Sequence, residues 1–365
     1  MSILFVISGT HRVAASRYRV YQYLPYLESQ GTRYRVFSTI SDFMTVLSIR
    51  SPEFNSITRS IYYLLLFIER FFRFWVVFIA AGRYDVLFLQ RAIFPFGLAR
   101  LLPLRNKNII FDIDDAIFLP DTQDRNPMTT FKAFVKKREV RDSLDISSCV
   151  IVENDYIKEY VSKYCQDVFK IQGPIDTTRY FVAPDKYREE KDEIILGWIG
   201  SPGTTPYLSI LNGVFREILF RFQNVKIVLV GVGNYSFPSD KVIKKKWGYD
   251  TEVEELQRFD IGLMPMFDDE WTRGKLGCKM LQYMAVGAAS VVSYTPTNAE
   301  IVTSGENGFF ASSEQEWIDG LSRLIENPKL REEIGLAGRK TVEQKCSVRV
   351  NIPKYMEVFK KVYND

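Results

Sequence analysis

The sequence predicts an α/β protein of two domains, each a parallel β-sheet with helices on both faces. Three observations carry this. Short apolar, β-rich runs alternate with longer stretches of helical periodicity, the pattern that builds parallel sheets. The alternation stops at the polar stretch APDKYREEKDE (183–193) and then begins again. A length of 365 residues fits two domains of ordinary size.

In order along the chain, ILFVI (3–7), YRVFS (34–38), DVLFLQ (85–90), NIIFDID (108–114) and CVIVE (149–153) read as buried strands. RYRVYQYLPYLESQG and DYIKEYVSKYC read as helices between them. The segment SITRSIYYLLLFIERFFRFWVVFIAAG (56–82) is helical and mostly apolar, but Glu69, Arg70 and Arg73 interrupt it, which argues against a membrane span. It reads either as a helix buried in the first domain or as one lying at a membrane surface. The second is preferred, with Arg70 and Arg73 near lipid phosphates and Phe71 and Trp75 at the acyl boundary. PFGLARLLPLRNK (95–107) adds a second basic, apolar segment.

The series restarts with IILGWIG (194–200), VKIVLVG (225–231), DIGLMPM (260–266) and ASVVSY (289–294). A long helical stretch breaks at Asn327-Pro328, and VNIPKYMEVFKKVYN closes the chain as an amphipathic helix. The boundaries read as 1–182, 183–347 and a final helix at 348–365. In paired sheets of this kind ligands bind beyond the carboxyl ends of the strands, so a cleft between the domains is the expected site.

Composition excludes several functions. A net charge of +4 is too small to argue for nucleic acid. The single histidine, His11, removes multi-histidine metal sites and Ser-His-Asp hydrolysis unless it serves itself. Cys149, Cys165, Cys278 and Cys346 are scattered, which suits a reduced, cytoplasmic setting better than a disulfide framework or a zinc site. The opening MSILFVISG reads as a first strand, without the charged start of a signal peptide.

Four stretches could carry chemistry. RGKLGCKMLQYMAVGAASVV, from Arg273, reads as a helix start with Arg273, Lys275 and Lys279 crowding its first turn. Cations there oppose the helix dipole, by a few tenths to about 1 kcal/mol each. They become favourable once a diphosphate sits among them. Gly274 and Gly277 permit close backbone approach, and Lys275 and Lys279 would share a helix face. The plainer reading is a solvated charged edge. GWIGSPGTTPYL (197–208) is a strand, a loop and a helix, where Gly200, Ser201, Gly203, Thr204 and Thr205 offer N–H groups and hydroxyls to a phosphate; an ordinary loop fits equally. SGTHRVAASRYR (8–19) places Gly9, His11, Arg12, Ser16, Arg17 and Arg19 near the end of the first strand. FDIDDAIF (111–118) invites a metal, but strand alternation points Asp112 and Asp114 one way and Asp115 the other, so a turn or a substrate hydroxyl suits it better.

The second half resembles the donor domain of GT-B glycosyltransferases, most like glycosyltransferase family 4. The resemblance runs through GWIGSPGTTPYL, VLVGVG, DIGLMPM, GCKMLQYMAVGAASVVS and NAEIVTSGENGFF, and more loosely through SRYR, FDIDDAIF and VENDYI in the first half. It implies two Rossmann-like domains facing across a cleft, with the C-terminal helix crossing back to the first. It also implies retaining transfer from a nucleotide-diphosphate sugar, with no required metal or cofactor. The donor would sit in the second domain, touching Gly231 among others, and the acceptor in the first. Of the family's paired glutamates, Gln282 stands at the second position, usually a ribose contact, and Gly274 at the first; Glu270 is the candidate to replace the latter, and Glu300 matches a further family glutamate. The lost glutamate shifts weight onto Arg273, Lys275 and Lys279, with His11 or Asp114 near the acceptor, along with Gly9, Arg17 and Arg19. The apolar, basic helix suggests a lipid-linked glycan acceptor in envelope polysaccharide synthesis, at the cytoplasmic face of an anionic membrane. The alternatives are a catalytically inactive nucleotide-sugar-binding module and an epimerase or phosphorylase on the same fold.

Overall fold

A computed structural model describes residues 1–51, 54–119, 129–187 and 192–364. Part of the polar stretch 183–193 therefore lies outside the described residues. The chain divides into two compact units: Met1–Pro174 with Asp269–Leu276 and Val348–Asp365, and Ile175–Asp268 with Gly277–Ser347. The division falls at Pro174, ahead of the 182 expected from sequence. The segment Asp269–Leu276 is an excursion the sequence does not announce.

In chain order the elements are β1 Ser2–Ile7, α1 Ala14–Arg19, α2 Leu24–Ser29, β2 Arg33–Ser38, α3 Asp42–Arg50, α4 Ser56–Ala81, β3 Val86–Gln90, β4 Ile109–Ile113, α5 Thr129–Asp145, β5 Cys149–Val152, α6 Asp155–Val161 and β6 Val168–Lys170. Then come β7 Ile194–Ile199, α7 Asn212–Arg221, β8 Val225–Val230, β9 Val242–Lys245, α8 Glu252–Gln257, β10 Ile261–Met264, α9 Glu270–Arg273, α10 Cys278–Ala285, β11 Ala289–Ser293, α11 Pro296–Ala299, β12 Phe309–Ala311, α12 Glu314–Glu326, α13 Pro328–Thr341 and α14 Val348–Asn364. Both sheets are six-stranded, in the orders β2-β1-β3-β4-β5-β6 and β12-β11-β10-β7-β8-β9. The described pairings are parallel.

Each sheet is covered on both faces, which is why its central strands read as unbroken apolar runs. In the first unit, alternate residues split into two cores. Leu87, Leu89, Ile109 and Phe111 pack with Phe74, Val77 and Ala81 of α4. Phe5, Phe88 and Ile110 pack with Tyr355, Val358 and Phe359 of α14. The terminal helix thus belongs to the first unit. In both sheets the strand order reverses beside the first strand, between β1 and β3 and between β7 and β10. Ligands favour the carboxyl ends at such switch points.

α4 is amphipathic in an inverted sense. Its polar stripe faces the protein: Arg73 Nε pairs with Glu69 at 2.8 Å and its Nη1 donates to the Ser38 carbonyl at 3.0 Å. Glu69 accepts from the Ser41 N–H at 2.7 Å. Arg70 donates to the Ile93 carbonyl and lies 3.6 Å from Glu139. The expectation that Arg70 and Arg73 meet lipid phosphates is therefore corrected: their charges are used inside the unit. The apolar stripe faces outward instead, through Ile57, Ile61, Leu64, Ile68, Phe72, Trp75, Val76 and Ile79. Phe71 is half-buried against Phe72 and Trp75. No helix among the described residues is long and apolar enough to cross a membrane.

Candidate functional site

In the second unit, chemistry gathers where β7 and β8 end. Gly200 N donates to the Val230 carbonyl at 2.9 Å. Gly231 turns there with φ +74°, and a Cβ on it would lie 2.4 Å from the Gly200 oxygen. The two strand ends are thus pressed together, an approach that only glycine allows. Beyond Gly200 the chain enters a 3₁₀ turn, Pro202–Leu211. Its N–H groups and hydroxyls are less free than the sequence suggests. Ser201 N donates to Thr204 Oγ1 at 3.1 Å, Thr204 N to the Ser201 carbonyl at 2.9 Å, and Gly233 N to Thr205 Oγ1 at 2.8 Å. Thr204 and Thr205 therefore brace the loop, while Gly203 stays exposed.

α10 opens beside this corner. Gly277 precedes it; a Cβ there would meet Met264 Sδ at 2.2 Å, so only glycine fits under β10. Asn298, buried after β11, accepts from Gly277 N at 3.3 Å and donates to the Ser293 carbonyl at 3.1 Å, fixing where the helix starts. Lys279, in the first turn, holds its ammonium 5.1 Å from the centre of the buried Trp198 ring. That same ring lies against Gly200. A cation, a helix N-terminus and a glycine corner thus converge.

The expected three-cation helix mouth does not form. The helix begins at Cys278, not near Arg273. Asp269 caps the short α9, accepting from Thr272 N at 2.8 Å, so Arg273 ends its own turn. Arg273 and the exposed Glu270 act on Tyr156 of the first unit with opposite signs. Lys275 acts on Asp115, also in the first unit. Lys279 alone keeps its expected place at α10.

Gln282 is likewise corrected. It is buried, and its Nε2 donates to Glu252 Oε1 at 2.8 Å, while Glu252 Oε2 accepts from Tyr180 at 3.1 Å. A carboxylate therefore stands beside position 282 but comes from α8. Both its oxygens serve the core. Glu300, half-buried, ends α11.

The first unit gathers its polar groups at the carboxyl edge as well. Gly9 follows β1; its carbonyl accepts from the buried Ser16 at 2.7 Å. His11 is exposed, 6.3 Å edge-on from Tyr21. Arg17 donates to the His11 and Arg12 carbonyls at 3.2 and 3.1 Å and shapes that loop. Arg19 is no acceptor contact. It is buried, grips Asp112 through both carboxylate oxygens and donates to the Ile171 carbonyl at 2.9 Å.

Beyond β3, Arg91 adopts φ +49°, a left-handed conformation that costs a bulky residue about 1 kcal/mol. Its guanidinium reaches Asp114 at 3.3 Å and Asp115 at 3.0 Å. Asp114 and Asp115 therefore share one partner, and the alternation expected to separate them ends with β4 at Ile113. Burial pushes the Asp114 carboxyl up to about 6, against the pull of Arg91 and with the help of Asp115 and Asp112. Asp115 is half-buried, which pushes it up, yet Arg91, Lys275 and Lys136 hold it below the ordinary range. Glu153, just past β5, is raised well above it, first by burial and then by the three aspartates, Arg19 opposing. Arg91, Glu153, Glu252 and Asn298 were not singled out from sequence; only their positions just past strands or at helix starts could have marked them.

Residues 195–327 match the model of a family described as glycosyl transferases group 1. No curated protein sequence matches the chain. Among solved structures it is similar to HepE of Anabaena in complex with UDP and glucose, at 14% identity and TM-score 0.70, covering 99% of each chain. It is similar to sucrose-phosphate synthase of Thermosynechococcus elongatus, at 12% identity and TM-score 0.70, covering 100% of this chain and 99% of that one. A glycosyltransferase of Rickettsia africae matches at 12% identity and TM-score 0.66, with the same coverage. At these identities the structures establish the fold: two Rossmann-like domains of the GT-B class, as the resemblance in the second half implies.

Proposed function

We propose, from a chain whose second domain matches group 1 glycosyl transferases, that it moves a sugar from a nucleotide-diphosphate donor to a hydroxyl of a lipid-linked glycan, with retention and without a metal. The observation that carries this is Lys279 over Trp198, beside the Gly200–Gly231 corner and at the first turn of α10. The neighbour solved with UDP and glucose supports a nucleotide sugar as donor.

Breaking the anomeric C–O bond leaves charge on the departing diphosphate. A preorganised cation and helix N–H groups stabilise that charge more in the transition state than in the ground state, often the largest catalytic term. A same-face route lets the leaving phosphate accept the acceptor's proton, which asks little of a chain with one exposed histidine. The apolar face of α4, with the 80% exposed Phe96 packed on Phe67, would rest in the acyl boundary of the cytoplasmic leaflet.

The test is turnover of UDP-, GDP-, ADP- and CMP-linked sugars, read as nucleotide release and as product by mass spectrometry, with the anomer assigned by NMR. Retention and insensitivity to EDTA are expected. Binding of every donor with neither transfer nor hydrolysis would make the chain an inactive binding module. An inverted product or a strict metal requirement would reject the mechanism.

A further inference from the structure

We infer that the carboxyl edge of the first sheet reads neighbouring hydroxyls of a neutral sugar, with Asp114 accepting a hydrogen bond from one and Glu153 donating to the next. This rests on the glycosyl-transfer reading and names the acceptor chemistry of that site.

Three buried groups at this edge are unsatisfied. Asp114 is 7% exposed, and its Oδ1 has no hydrogen-bond partner despite the nearby guanidinium. Gln90, in register with Asp112, has an unpartnered Nε2 at 0% exposure. Glu153 is 3% exposed, and no hydrogen bond or ion pair engages its carboxyl among the described residues. Ile113 and Val152 are partners in register, so Asp114 and Glu153 are the next residues past two neighbouring strand ends and leave the sheet side by side. Leaving a buried polar group unpaired costs about 1–3 kcal/mol, so several together are completed by a ligand or by ordered water.

The groups also select the ligand. Asp114 Oδ1, ion-paired with Arg91 at 3.3 Å but without a hydrogen bond, is an acceptor and can still take a partner that brings a proton. A sugar hydroxyl does; a phosphate at neutral pH brings negative charge instead. Burial favours the protonated form of Glu153, whose O–H can donate where Asp114 accepts. Asp112 is already spent on Arg19, and Arg91 holds Asp114 and Asp115 in place. A vicinal diol can give one proton and take another, which matches this donor and acceptor set. Sites that read a hydroxyl in this way reject analogues lacking it strongly, because their own buried groups are then left unpaired.

The test uses the full chain and saturation-transfer NMR with methyl α-glucoside, methyl α-mannoside, methyl α-galactoside and methyl phosphate, with circular dichroism as the check on folding. At least one glycoside is expected to bind, and methyl phosphate is not. Glu153→Leu should weaken that glycoside at least tenfold, while Glu153→Gln, which keeps a neutral donor, should stay within threefold. Asp114→Leu, which removes the acceptor, should also weaken it at least tenfold, and it decides the question if Glu153→Leu does not fold. No glycoside binding, tighter binding of methyl phosphate, or full binding by Glu153→Leu or Asp114→Leu would overturn the inference. Glycoside binding without turnover of any donor would sink the glycosyl-transfer reading and leave this one. Donor turnover without glycoside binding would do the reverse.

Discussion

Lys279 and Asp114 do opposite things with charge. Lys279 is held over an aromatic ring, an arrangement worth about 0.5–1 kcal/mol by itself, which no more than offsets what a cation at the positive end of a helix costs. Stabilising a departing diphosphate is a larger task, and Lys279→Ala should lower turnover at least tenfold. Unchanged turnover in a folded variant would reduce Lys279 to a packing residue. Asp114 is costly to the fold. Its carboxyl sits at about 6 when folded against about 4 unfolded. A group raised on folding stabilises the native state below its unfolded value and loses that contribution as pH climbs through its folded one. Stability should therefore fall between pH 4 and 6 by on the order of 2 kcal/mol from this residue. Asp114→Asn should flatten that slope, and melting curves of both proteins across this range check it; parallel slopes would refute it. Little of this was legible in the sequence. FDIDD marks the carboxylates, but Arg91 and Glu153 arrive from other strands, and only pairing in register brings them together.

At the scale of elements, the central strands and the edge strand β2 were legible, and the other three edges were not. Buried strands are apolar on both faces and stand out. β6, β9 and β12 each end a sheet, are short, and carry half-solvated residues, so no apolar run betrays them. The start of α10 was misread because Lys275 and Lys279 share a helix face, while the break is made by the Asp269 cap on Thr272 and by the packing of Gly277 against Met264 and Asn298. α4 was read as amphipathic with its aromatics at the lipid, but its arginines were placed at lipid phosphates, since the sequence does not say that Ser38, Ser41, Ile93 and Glu139 would meet its charges. This changes the expected membrane behaviour. With Arg70 and Arg73 turned in, binding to vesicles should depend on apolar area and persist at high salt. Replacing Phe72, Trp75 and Val76 by serine should release the protein from vesicles in a co-sedimentation assay and leave its melting temperature nearly unchanged, because these side chains are 65%, 39% and 51% exposed. Unfolding of that variant would show the stripe to be core, and retained binding would remove α4 from the interface.

For the whole molecule, two α/β domains were evident from one restart of the pattern, but the path between them was not. The sequence places the last helix by resemblance; its packing explains the placement, since Tyr355 and Phe359 stack on Phe88 and Tyr23 in the core of the first unit. Removing residues 348–365 should strip one face of that sheet, and hydrogen exchange should show the first unit's strands losing protection while β7, β8 and β10 keep theirs. Equal protection in both would mean that α14 is dispensable. The first unit is assembled from three separate stretches of chain, the last of them at the very end. A ribosome therefore releases the second unit's entire sequence before it delivers the final piece of the first. The unit begun earliest is finished latest, and during synthesis its β1–β3 face waits uncovered, the interval in which a nascent chain most needs a chaperone.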